Sequence, residues 1–216
     1  MVPLVSGSFE ADAYRRLRVT LQFSPRVENL SSLVITSPAP GDGKTTTAIN
    51  LAIAFAKAGN KVLLVDGDLR KPSIGGILAL RNTAGLSNLI IGEESLENSV
   101  QTCDVDNLFV LTSGPIPPNP AEILSSKKSR LLFKHFEQEY EITIIDSPPV
   151  ITASDAAVLS TLSSGTLLVV RYGKAAKSLV ADVVNQLKNV KANLLGVVIN
   201  HVPVKSQGYQ HYHLIR

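Results

Sequence analysis

Thr36-Ser37-Pro38-Ala39-Pro40-Gly41-Asp42-Gly43-Lys44-Thr45-Thr46 decides the fold. It lies between a short aliphatic run, Leu33–Thr36, and a small-residue and apolar stretch, Lys44–Ala58, that reads as a helix. The phosphate-loop pattern is G-x-x-x-x-G-K-S/T. Pro38 takes the place of its first glycine, while Gly43, Lys44 and Thr45 fit. The geometry survives the exchange: Gly41 and Gly43 let the backbone wrap closely around phosphate oxygens, and the next helix supplies free N–H groups and a favourable dipole. An ordinary strand-to-helix turn that merely contains Gly-Lys-Thr is the competing reading, and a strand before with a helix after weighs against it.

The loop therefore predicts ATP with Mg2+ as the ligand. Gly41, Asp42, Gly43, Lys44, Thr45 and Thr46 form the nucleotide-binding stretch. Lys44 is read as the only side-chain cation placed to balance the β- and γ-phosphates, and Thr45 as a hydroxyl ligand to magnesium.

Outward from the loop, Val62–Val65, Leu108–Leu111, Thr143–Ile145, Leu167–Val170 and Leu195–Ile199 join Leu33–Thr36 as buried strands, being short and rich in Val, Ile and Leu. Arg130–Tyr140, Ser154–Ser160 and Ala176–Val190 read as helices between them, and Phe9–Gln22 as an extra helix before the first strand. Regular alternation implies βαβ crossovers and a three-layer α/β/α domain with a mostly parallel central sheet. Gly114–Pro120 reads as a rigid proline loop, with Asn119 or Ser126 as helix caps nearby. The expected division is a catalytic domain over 1–202 and a flexible tail over 203–216.

Two carboxylate clusters follow strand ends, where open parallel sheets bind ligands. Asp146, before Ser147-Pro148-Pro149, holds the place of the Walker B aspartate and would hold magnesium through its water shell. Asp66 and Asp68 lie two apart and would face one side of an extended chain, to ligate magnesium and accept a proton; capping of the following turn is the plainer alternative. From the residues alone, neither is preferred as the base.

The 216 residues, 44% hydrophobic and 18% charged, suit one compact domain. A net charge of +3 is too small for a nucleic-acid binder. The single cysteine, Cys103, excludes an internal disulfide and reads as a small core or surface residue in a reducing compartment. No run approaches the ~18 to 20 apolar residues of a membrane span, and Met1–Ser8 lacks the build of a signal peptide. The expected location is cytoplasmic.

Four stretches together resemble the bacterial tyrosine kinases of capsule and exopolysaccharide synthesis, over nearly the whole chain: the phosphate loop, Asp66-x-Asp68-x-Arg70, Asp146-Ser-Pro-Pro, and Gly114-Pro-Ile-Pro-Pro-Asn-Pro-Ala-Glu-Ile-Leu124. The resemblance implies that Lys44, Thr45, Asp66, Asp68 and Asp146 bind nucleotide and Mg2+, with Asp66 as the proposed base. It offers Asn200 as an adenine contact, level with a simple strand-end turn residue. Asp12-Ala-Tyr-Arg15-Arg-Leu-Arg18 matches the family's ring-forming Glu-x2-Arg-x2-Arg helix with Asp for Glu; on charge pattern alone it would be a solvated helix face. The implied partners are further copies of the chain in a ring, a membrane-anchored polysaccharide co-polymerase that activates the kinase at the inner face of the membrane, and protein tyrosine substrates. The family's dense tyrosine tail is thinned here to Tyr209 and Tyr212, the expected phosphate acceptors, flanked by His211 and His213.

Two rival readings stand beside it. A ParA- or MinD-type switching ATPase would carry a second lysine five positions before Lys44, where this chain has Ala39. A weakly active ATP-binding scaffold for polysaccharide export would suit the thin tail but not the intact Lys44, Asp66, Asp68 and Asp146.

Overall fold

A computed structural model describes residues 8–23 and 29–203. Tyr209, Tyr212 and the rest of the expected tail from 204 onward lie outside the described residues. All six aliphatic runs are strands: β1 (Ser32–Thr36), β2 (Val62–Asp66), β4 (Leu108–Leu111), β5 (Ile142–Asp146), β6 (Gly165–Arg171) and β7 (Leu194–Asn200). A seventh, β3 (Val100–Thr102), was not legible because it is three residues long and two of them are polar. The sheet order is β3-β4-β2-β5-β1-β6-β7, parallel throughout except for the β3–β4 edge pair.

Side chains alternate across the sheet and define two cores. Leu33 and Ile35 of β1 point to one face with Leu64 of β2 and Ile144 of β5, under α2 (Lys44–Ala56) and α1 (Phe9–Gln22). Val34, Leu63, Val65 and Ile145 point to the other face, beneath α4 (Leu86–Ile91), α6 (Pro120–Ser125), α7 (Lys127–Glu139) and α8 (Asp155–Thr161). There α9 (Lys177–Asn189) buries Val183 and Leu187 against Leu168 in an adjoining cluster. Because α1 covers the outside of α2, every residue of α2 from Thr47 to Ala56 is buried. That explains its lack of a polar stripe.

The helices the sequence did not show are short: α3 (Ile74–Ile77), α4, α5 (Leu96–Ser99) and α6 span four to six residues, too few for a helical period. The proline loop ends where expected, but Pro120 also opens α6, in the first-turn position that tolerates a missing N–H. Ser126 caps α7 by accepting from the Ser129 N–H at 3.1 Å, so that helix begins three residues before the expected Arg130. Asn119 stands at the N-cap of α6, but its side chain bonds Glu122 instead of the backbone.

Candidate functional site

Three strand ends meet at the centre of the sheet. Asp66 ends β2 and Asp146 ends β5, paired in register, and Ile35 of β1 lies beside Asp146. Beyond β1 the chain forms the glycine loop, and both glycines adopt the left-handed backbone that their lack of Cβ permits, φ 82° at Gly41 and 95° at Gly43. The loop is held from within: the Asp42 carboxylate accepts from the Ala39 N–H at 3.1 Å, and the Ser37 hydroxyl donates to the Ala39 carbonyl at 2.9 Å. Asp42 is buried, so its carboxylate shapes the loop and only its backbone is left for a ligand. Gly43 is the N-cap of α2 and offers no capping side chain, which leaves first-turn N–H groups for an anion.

Asn200 holds the loop from outside. Its amide donates to the Asp42 carbonyl at 3.1 Å while its own carbonyl accepts from the His201 N–H at 2.8 Å. A Cβ at Gly43 would collide with that carboxamide, a second reason for glycine there.

Lys44 reaches across the site. Its ammonium lies 3.2 Å from Asp68 Oδ2 and 3.4 Å from each Asp146 oxygen. Burial works against the ammonium, but the charges of Asp146 and Asp68 outweigh it and hold the pKa above the ordinary lysine value. The Thr45 hydroxyl donates to Asp146 Oδ2 at 2.6 Å. Complete burial pushes Asp146 up to about 6, against the pull of Lys44 and Thr45.

Asp66, the last residue of β2, and Asp68 beyond it take different partners. Asp66 Oδ2 accepts from the Ser73 and Ile74 N–H groups, both at 2.9 Å, at the start of α3. Burial and the neighbouring Asp146 charge raise it to about 7, although these backbone donors pull the other way. Asp68 accepts from the Arg70 and Lys71 N–H groups through Oδ1 and faces Lys44 through Oδ2. Both aspartates thus cap turns, and both also belong to the site.

Gly41, Gly43, Lys44, Thr45 and Asp68 line a cavity of about 670 Å³ that also reaches Lys71, Pro148, Thr152 and Arg171, whereas Asp66 and Asp146 are fully buried and do not line it. Lys44 is not the only cation at this cavity, since Arg70, Lys71 and Arg171 line it as well. Arg70 makes a two-pronged pair with Asp155, at 2.8 and 3.0 Å, and that hydrogen bonding raises its pKa further. Asp155, fully buried at the start of α8, escaped sequence reasoning. An acid after Ser154 signals only a helix start, and its partner is 85 residues away.

Among the described residues no three His, Cys, Asp or Glu side chains converge on a metal-sized point. Asp68, Asp146 and Thr45 instead present hard oxygens, a set that suits Mg2+ shared with phosphate oxygens better than an all-protein cage. Among the expected assembly residues, Asp12 pairs within α1 to Arg15 at 2.6 Å, and Arg18 bonds Gln22. They lie on a helix packed against the outside of α2, apart from the cavity. No helix among the described residues is long and apolar enough to cross a membrane.

The AAA domain family matches residues 33–199. The tyrosine-protein kinase YwqD of Bacillus subtilis is 42% identical over 193 residues, covering 89% of this chain and 81% of that protein. Among solved structures, the chimerical protein CapA2B2 superposes with a TM-score of 0.87 at 40% identity, over 91% of this chain and 87% of that one. The kinase domain of the Escherichia coli tyrosine kinase ETK gives 0.85 at 32% identity, over 91% and 77%. The septum site-determining protein MinD of Pyrococcus horikoshii, complexed with Mg-ADP, gives 0.67 at 24% identity over 78% and 69%, a likeness of fold alone. The kinase likenesses are closer and cover more of the chain, so the chain belongs to the bacterial tyrosine-protein kinases, a family built on the P-loop ATPase fold.

Proposed function

We propose that this protein is an ATP- and Mg2+-dependent tyrosine kinase whose catalytic unit is 1–202 and whose acceptors are Tyr209 and Tyr212 of a neighbouring copy. One observation carries the reading: in a chain of this family, Lys44 lies under a glycine loop between Asp68 and Asp146, with Asp66 beside them held near neutrality. The loop amides and Lys44 bind the β- and γ-phosphates of ATP. Thr45, Asp68 and Asp146 hold magnesium, which when bound offsets phosphate charge. The tyrosine oxygen attacks the γ-phosphorus in line as the bond to the β-phosphate oxygen breaks. ADP leaves, and the phenolic proton passes to Asp66, whose raised pKa matches a base working near pH 7.

The wider setting follows the family resemblance: homo-oligomers joined through Asp12, Arg15 and Arg18, activation by a membrane-anchored polysaccharide co-polymerase, and control of capsule or exopolysaccharide synthesis and export. A MinD-like switch is not favoured, since Ala39 stands where its second lysine would be. Phosphotyrosine formation with Mg-ATP should be readily detected for the unaltered protein and fall by orders of magnitude in Asp66→Asn. Full activity in that variant would remove Asp66 as the base.

A further inference from the structure

We infer that Arg171 is a second phosphate-directed cation of the nucleotide site, supplied in cis from the end of β6, with Lys174 assisting from the same turn. The inference rests on the kinase reading and deepens it. Two of the cations that line the cavity are already engaged by carboxylates, and a third, Lys71, is exposed. Lys44 faces both Asp68 and Asp146, and Arg70 is neutralised by Asp155. A nucleoside triphosphate brings several more negative charges, of which one magnesium ion offsets only a part.

Arg171 is placed to supply the difference. It lines the cavity, is half-buried, and among the described residues its guanidinium makes no hydrogen bond or ion pair. Its backbone is fixed: β6 pairs Arg171 with Asn200, the Tyr172 N–H donates to the Asn200 carbonyl at 2.8 Å, and the Asn200 side chain grips the phosphate loop at Asp42. The same turn brings the Lys174 ammonium to 3.9 Å from the position a Cβ on Gly41 would take. Two cations with no side-chain partner among the described residues thus stand beside the glycine loop, on the flank opposite Asp66. A planar guanidinium there can take two oxygens of a polyphosphate through two parallel N–H bonds in a fixed fork, a geometry that a lysine ammonium does not preset.

The test is calorimetric titration with a non-hydrolysable ATP analogue and magnesium on the unaltered protein and on Arg171→Ala, Arg171→Lys, Lys174→Ala and Lys44→Met. Affinity should fall at least tenfold in Arg171→Ala and recover only in part in Arg171→Lys. Lys174→Ala, on an exposed side chain, should lose less. Thermal unfolding without nucleotide should not change in the Arg171 variants; if Arg171→Ala does not fold, Arg171→Gln replaces it in the same comparison. Unchanged affinity in Arg171→Ala together with loss in Lys44→Met overturns the role of Arg171 and leaves the kinase reading standing. Failure of the unaltered protein to bind the analogue overturns both.

Discussion

Lys44 serves two sets of charges, the phosphates it would bind and the carboxylates it faces. Replacing it with methionine removes the phosphate contact and leaves Asp68 and Asp146 without their counter-ion. We expect Lys44→Met to weaken ATP binding by roughly a hundredfold or more, as loss of a charge-assisted contact in a partly buried site implies. Calorimetry that finds unchanged affinity would remove the phosphate-loop assignment. The same cluster makes stability depend on pH. Asp66 and Asp146 are raised to about 7 and about 6, so the folded protein keeps protons that the unfolded chain has released near pH 4. Their contribution is complete below that value and is lost as pH rises through 6 to 7. The raised pKa of Lys44 lies above this window and does not offset the loss. In metal-free buffer the thermal midpoint should therefore be lower at about pH 8 than at about pH 5, and magnesium should narrow the gap. A midpoint that rises over this range would contradict the burial of ionised carboxylates. Residues of the site were legible where a local motif announces them, as Lys44, Thr45 and Asp146 do. Asp155 and Arg171 carry no such signal, because their partners and neighbours are assembled only by the sheet.

At the scale of elements, the proline loop is clasped to the segment before α4. The Asn82 carboxamide accepts from the Gly114 N–H at 2.9 Å and donates to the Gly114 carbonyl at 3.2 Å. The Leu86 and Ser87 N–H groups donate to the carbonyls of Thr112 and Ser113. Gly85 has no room for a side chain against this backbone. The clasp fixes the chain leaving β4, next to β2 and its Asp66. Asn82→Ala leaves the buried Gly114 N–H unpaired, while the Gly114 carbonyl keeps the Ser113 hydroxyl at 2.8 Å, and we expect a loss of about 1–3 kcal/mol in urea unfolding; no loss would mean that the proline loop is rigid without its clasp. The long strands could be read from sequence because each is a run of aliphatic residues, buried on both faces in β1, β2 and β5, although the edge strand β7 leaves Val197 and Ile199 exposed. The clasp could not, since it joins segments about thirty residues apart, through one asparagine side chain and backbone groups that any sequence possesses. The same limit hid α3 to α6 and β3, which are formed by what surrounds them and not by periodicity of their own.

For the whole molecule, the assembly we propose falls to α1. Its inner side packs Tyr14, Leu17 and Leu21 against the α2 core, and a cavity of about 250 Å³ between the two helices is rimmed by Arg15, Arg18 and Lys57. If that rim joins copies of the chain, Arg15→Ala with Arg18→Ala should shift the protein toward monomer and slow trans-phosphorylation in dilute solution. Light scattering that shows a monomer before mutation, with and without ATP and a membrane partner, would refute the assembly. Phosphorylation of the tail adds roughly −1.5 to −2 charge per tyrosine, which would expel it from a site containing Asp66, Asp68 and Asp146. The most direct measurement is intact mass followed by peptide mapping after incubation with ATP and magnesium. We expect whole phosphate increments, absent in Lys44→Met, that map to Tyr209 and Tyr212; no phosphate on tyrosine would contradict the kinase assignment, and phosphate confined to Tyr14, Tyr140 or Tyr172 would contradict the tail as acceptor.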